Sequence, residues 1–319
     1  MKQEPGNASS QESPGFSRGE EVKTRIRRSG AVLQIDLAQI APKRRSVSQF
    51  STYMSCGEQY RLSRVAQAPQ RPAAWFAMGS AVHEVIEQWE LWDRQGTIDQ
   101  AKQMYAQVYD RMIDEETARA GHDANWLTGS KKPGSQDIEE RRERGQGHVE
   151  RYIEWALANS QQWQVAMIDG KPAVEVEFSL MFGGVEVKGF IDQVIEAASG
   201  VIYPRDLKSG TKRPETPFQL AVYSQALEEL YGIESRSGSF AMTKESGDKI
   251  EHFEPLQAWS RPILDEMFES FNIMELAGLY VPNPGGHCRT CPVSEFCRIK
   301  GDPEKVGLYA EGVDAPMGA

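Results

Sequence analysis

The chain has 319 residues, enough for one large domain or two small ones with a sizeable core. Its 36 Lys and Arg against 46 Asp and Glu give a net charge of −10, which argues against a protein that coats nucleic acid non-specifically but leaves room for a nucleic-acid enzyme with a local basic track and an acidic metal site. No apolar run reaches the length of a membrane span, and Met1 to Arg28 lacks the apolar stretch of a secretory signal, so the expected location is cytoplasmic and the four cysteines read as thiols.

Residues 1–30 are rich in Ser, Gly, Gln, Glu and Pro without periodicity and are expected to form a disordered tail. Its basic end, Lys23 to Arg28, reads equally as a phosphate contact and as a solvated charge run. Residues 31–305 are expected to form one domain and 306–319 a flexible C-terminal tail. Ser46 caps a short helix that ends near Cys56. Met78, Val82, Val85, Ile86 and Trp89 recur at helical spacing and predict a helix over about 72–93. Thr97 to Gln100 is a capping box for the next helix. Residues 120–137 read as a mobile insertion, followed by a charged helix to about Asn159.

The pattern then changes. Val174, Val176, Phe178, Leu180 and Phe182 alternate with polar residues, which predicts a half-buried strand. Gly183-Gly184 is a hairpin turn, Val185 to Ile195 a second strand, and Val201 to Lys208 a third. A helix from Thr216 to about Tyr231, strands near 239–243 and 250–253, and a helix over about 256–279 complete an α/β sheet core with a large helical part.

Asp206 and Lys208 are two apart in a strand and share a face, and Asp192 on the preceding strand meets them across the pair. Carboxylate oxygens are hard ligands for Mg²⁺ or Mn²⁺, and a lysine beside them stabilises negative charge. Alone, Asp-x-Lys reads better as an exposed ion pair. Gly79, His83 and Glu87 add to it: they are one turn apart on one helical face. Gly79 leaves room for close approach. Glu87 either orients the imidazole or is an ordinary solvated residue. Gln219 and Tyr223 form another one-turn pair. They read either as a capping box over Thr216–Gln219 and a core tyrosine, or as groups that hold a phosphate or base.

Together, Gly79-x-x-x-His83, Gly189-Phe190-Ile191-Asp192, Asp206-Leu207-Lys208-Ser209-Gly210 and Gln219-x-x-x-Tyr223 resemble, in order and context, the RecB-family nucleases of the PD-(D/E)XK superfamily, over about residues 46–300. The resemblance implies a restriction-endonuclease-like mixed sheet. It implies His83, Asp192, Asp206 and the Leu207 carbonyl as ligands of Mg²⁺ or Mn²⁺, Lys208 as the catalytic lysine, and Gln219 and Tyr223 as support for the site and DNA. Pro204 departs from the family pattern, because proline donates no ladder hydrogen bond, so a bend is expected there.

Cys56 stands alone, and Cys288, Cys291 and Cys297 form a close trio. Four thiolates complete a tetrahedral set for zinc or for iron–sulfur, and the spacing alone does not separate the two. The trio with one distant N-terminal cysteine is similar to the iron staple of AddB-type recombination nucleases and of the small CRISPR-associated exonucleases, which implies a 4Fe–4S cluster. The implied activity is DNA exonuclease cleavage at single-stranded ends, with Trp75, Phe76 and Trp126 as base-stacking candidates. A recombination or integrase protein is the implied partner. The competing expectations are a non-cleaving DNA-end binder of the same fold and an integration accessory.

Overall fold

A computed structural model describes residues 23–28, 31–36, 44–121 and 126–309. Two compact units divide the chain at residue 41. In the first, β1 (Lys23–Arg28) and β2 (Ala31–Asp36) pair antiparallel. The basic stretch read as the end of a tail is therefore a strand, and residues 1–22 of that expected tail lie outside the described residues.

The second unit opens with α1 (Val47–Ser55), whose capping box joins Ser46 and Gln49. The short α2 (Gly57–Tyr60) continues into a π-helical turn over Arg61–Val65. Then come α3 (Ala74–Leu91), α4 (Ile98–Ala120) and α5 (Gly134–Ala158). The expected capping box at Thr97 is present. The expected insertion is much shorter than 120–137, because α4 runs on to Ala120 and Pro133, with φ −60°, already caps α5. Within α5 a glycine costs helix stability, yet a Cβ at Gly145 would lie 2.0 Å from the Tyr105 ring, so the glycine admits the close packing of α4 on α5.

Six strands form the main sheet. They are β3 (Trp163–Val165), β6 (Val174–Phe182), β7 (Val185–Ala197), β8 (Ile202–Lys208), β9 (Ser237–Met242) and β10 (Glu251–Pro255). A separate two-stranded pair, β4 (Met167–Ile168) with β5 (Lys171–Pro172), sits between β3 and β6 in the chain. The order is β10-β9-β8-β7-β3, with β6 also paired to β7. Only β8 and β9 are parallel, joined through α6 (Phe218–Tyr231), as a parallel crossover requires. The last long helix is α7 (Arg261–Leu276).

Alternating side chains feed two cores. Phe240 and Met242 pack with α1, α6 and α7, whereas Tyr203, Leu207 and Ala241 pack with α3, α4 and α5. Pro204 does not interrupt the pairing: the register runs unbroken from Ile202 to Arg205, with Pro204 opposite Val194. No helix among the described residues is long and apolar enough to cross a membrane.

Candidate active site

Two tight turns set the site. Gly183 and Gly184 have φ of +53° and +76°, which glycine adopts without strain, and the two-residue hairpin fixes the β6–β7 register. The turn after Ala197 fixes β7 against β8, so that Gln193 faces Arg205. Asp192 and Asp206 are the next residues along, just past the last paired positions of the two strands. Gly189 explains the glycine of Gly189-Phe190-Ile191-Asp192. It pairs with Phe178, and a Cβ there would meet the Phe178 ring at 2.9 Å. That ring in turn packs edge-on against Tyr223 at 5.9 Å.

Asp206 is buried, with 1% of its surface exposed. Its Oδ2 lies 2.6 Å from Lys208 Nζ. Its Oδ1 is buried without a hydrogen-bond partner. Burial pushes the Asp206 carboxyl upward; Lys208 opposes the shift and Asp192 adds to it. Asp192 Oδ2 accepts the Leu207 backbone N–H at 2.8 Å and lies 3.5 Å from His83 Nδ1. Helix α3 delivers that imidazole. A Cβ on Gly79 would lie 3.0 Å from Ser209 Oγ, so this glycine lets the segment after Lys208 come close to α3.

Helix α6 adds the supporting pair. Lys208 Nζ donates to Gln219 Oε1 at 3.0 Å, and Gln219 Nε2 donates to the Tyr223 hydroxyl at 2.7 Å. The expected capping box at Thr216 is not formed: Pro217 takes the cap position and makes no side-chain bond to the helix. Gln219 instead spans lysine and tyrosine, and Tyr223 is buried in the core, as the core reading of that residue expects.

A cavity of about 1250 Å³ opens over these groups, lined among others by His83, Glu87, Glu175, Lys208, Trp75 and Arg141. Glu87 thus shares the cleft with His83. Burial, then Glu84, raises its carboxyl, and His83 lowers it. Phe76 is 56% exposed and sits 5.8 Å from the Trp75 ring. Trp126 does not belong with them; it is buried in the helical core at 3% exposure.

One residue of the site was missed from the sequence. Glu175 on β6 has a ligand oxygen within 4.8 Å of those of His83 and Asp192. Its φ of +47° is unusual for a residue other than glycine. Burial, then Asp192, Glu87 and Asp206, raises its carboxyl to about 7. The signal was in the hairpin: counting back from Gly183-Gly184 sets Glu175 opposite Asp192.

The four cysteines are free thiols that line one small cavity with Leu62 and Val293. Close backbone approach places the first of them. Gly57 N–H donates to the Val281 carbonyl at 3.0 Å, and a Cβ at Gly57 would lie 2.7 Å from Val281 N. Backbone N–H groups of Asn283 and Gly285 donate to the sulfurs of Cys56 and Cys288, both at 3.4 Å. Burial pushes the Cys291 thiol up to about 11, and the other three thiols add to the shift.

A mixed sheet that carries Asp-x-Lys at the end of a central strand, beside a second carboxylate and a helical histidine, defines a class of nucleases. The comparisons agree. A model of the PD-(D/E)XK nuclease superfamily matches residues 44–298. The chain is 33% identical over 270 residues to the Gene 69 protein of Mycobacterium phage D29, covering 82% of this chain and 99% of that one. It is 30% identical over 280 residues to the Gene 69 protein of Mycobacterium phage L5, covering 80% and 96%. The chain belongs to the PD-(D/E)XK nuclease superfamily, whose members use divalent metal ions.

Proposed function

We propose that this protein is a divalent-metal-dependent DNA exonuclease that hydrolyses phosphodiester bonds at single-stranded ends. The observation that carries the reading is the convergence of His83, Asp192, Asp206 and Lys208 at one end of the sheet. The donor set fits Mg²⁺ or Mn²⁺: an imidazole, hard carboxylates, and a buried Asp206 Oδ1 that nothing else satisfies. His83, Asp192, Asp206 and the Leu207 carbonyl would hold the ion. When bound, it supplies Lewis acidity toward a phosphoryl oxygen and a more acidic water.

The chain's own groups do the rest. Lys208, aimed by Gln219 and Asp206, puts a fixed positive charge where the phosphate gains negative charge. Gln219 is itself held by Tyr223. Trp75 and Phe76 offer ring faces in the cleft, with Arg141 Cζ 5.8 Å from the Trp75 ring, a combination suited to unpaired bases and their backbone.

The cysteines support a 4Fe–4S cluster as the staple between the two ends of the nuclease domain. The support is that all four thiols, one from the start of the domain and three from its end, line a single cavity, in the arrangement that resembles the iron staple. Hydrolysis moves no electrons, so the cluster's role is structural.

Digestion of single- and double-stranded DNA labelled at either end, with Mn²⁺ or Mg²⁺, tests the activity. Mononucleotide or short-oligonucleotide release from single-stranded ends supports it. Binding of DNA ends without any cleavage rejects it.

A further inference from the structure

We propose that Glu175 is a carboxylate ligand of the divalent cation, alongside His83 and Asp192. This rests on the nuclease reading above and adds a residue to its metal centre.

The first support is a row of carboxylates. Val174 faces Gln193 and Val176 faces Ile191, so Glu175 stands opposite Asp192. Gln193 faces Arg205 at the end of the β7–β8 ladder, and just past it Asp192 Oδ2 accepts the Leu207 N–H, which brings Asp192 beside Asp206. Residues in one row across adjacent strands share a face, with Cβ atoms roughly 4.5–5.5 Å apart. Like charges so placed repel; a bound cation relieves that repulsion, as does a proton on one of the carboxyls, and the cation does so without giving up a ligand oxygen.

Convergence is the second support. Among the described residues, His83, Glu175 and Asp192 are the one group of three whose ligand atoms all fall within 4.8 Å of one another. Asp206 is outside that trio. Its Oδ2 is ion-paired with Lys208, and both of its oxygens are buried without a well-formed hydrogen bond, so Oδ1 has no partner of its own. An imidazole nitrogen and carboxylate oxygens gathered in this way are a donor set for Mn²⁺ or Mg²⁺.

Third, among the described residues no lysine or arginine forms a salt bridge with Glu175. The charged groups that act on it are all carboxylates: Asp192, Glu87 and Asp206. The amine that could have done so, Lys208, is engaged by Asp206 and Gln219. Glu177, two residues on in the same strand, is exposed and serves as an internal control.

Mn²⁺ binding to the full chain without DNA tests this, read from the loss of the free-ion paramagnetic resonance signal. Glu175→Gln keeps the shape and removes the charge; it should weaken Mn²⁺ binding about tenfold or more. Glu175→Asp keeps the charge and shortens the reach by one methylene, so it too should bind more weakly if the oxygen is a ligand. Glu177→Gln should match the wild type. Circular dichroism shows that each variant is folded, and Glu175→Asp carries the test if Glu175→Gln is not. Wild-type affinity in Glu175→Asp reduces Glu175 to a field effect and overturns the proposal, as does wild-type affinity in Glu175→Gln. A wild-type protein that takes up no Mn²⁺ overturns the whole metal centre, a result distinct from unchanged affinity in the variants.

Discussion

Lys208 Nζ lies 2.6 Å from Asp206 Oδ2, two residues back on the same strand, and this pair is the charged hinge of the site. A carboxylate at 1% exposure is costly to ionise, and Lys208 offsets part of that cost. Asp206→Asn removes that charge in nearly the same shape. It should abolish cleavage while leaving the melting temperature in EDTA unchanged or higher. Lys208→Met should lower the cleavage rate ~10²-fold or more with DNA binding retained. A Lys208→Met protein that cuts at the wild-type rate would remove the lysine from the chemistry.

Gly189→Ala tests how the strand pair aims Asp192. The added Cβ would sit 2.9 Å from the Phe178 ring, which also packs on Tyr223. Overpacking of this kind typically costs ~1–3 kcal/mol. Urea unfolding should show that loss, together with weaker Mn²⁺ binding. Wild-type stability and affinity would mean that Phe178 moves aside freely.

Much of the site was legible in the sequence because strands write it with a period of two. The strand Val174–Phe182 and the turn Gly183-Gly184 came directly from alternation and glycine pairing. Asp192, Asp206 and Lys208 followed from the same rule. Glu175 was overlooked because alternation assigns it to a solvent face, whereas the register across the hairpin assigns it to the site. Strand β3 has three residues, too few to show a period. The Thr216 capping pattern misled because Gln219 has a stronger partner in Lys208, far away in local sequence terms but adjacent in the fold.

Acid stability should depend on His148. It is buried at 1% exposure, and its Nδ1 lies 2.8 Å from Thr243 Oγ1. Thr243 in turn donates its backbone N–H to the Lys208 carbonyl at 3.0 Å. Burial, then Arg151, Arg144, Arg141 and Lys244, lowers the imidazole to about 4 from its ordinary 6.5. Above pH 6.5 the ring is neutral in both folded and unfolded chains and contributes no slope. Between 6.5 and 4 only the unfolded chain takes up the proton, so stability falls as the pH falls. From pH 7 to pH 5 this one group should cost about 2 kcal/mol. His148→Gln should flatten that part of the urea-midpoint profile; an unchanged slope would exclude His148 as its source.

Cysteine substitution separates staple from catalyst. Anaerobically purified protein should be brown and carry about four irons per chain. Cys291→Ser should lose colour and thermal stability together, and activity only in proportion to unfolding. Colourless wild-type protein with one bound zinc would replace the iron cluster but keep the staple. Metal-free protein of equal stability would remove the staple.

The most direct test of the metal-dependent nuclease is cleavage of end-labelled single-stranded DNA by the purified full chain across three conditions: EDTA, Ca²⁺ and Mn²⁺. The expected result is no product in EDTA, DNA binding without product in Ca²⁺, and progressive shortening from an end in Mn²⁺ that Asp206→Asn abolishes. Product formed in EDTA, or equal cutting by Asp206→Asn, would contradict a hydrolytic centre built on His83, Asp192, Asp206 and Lys208.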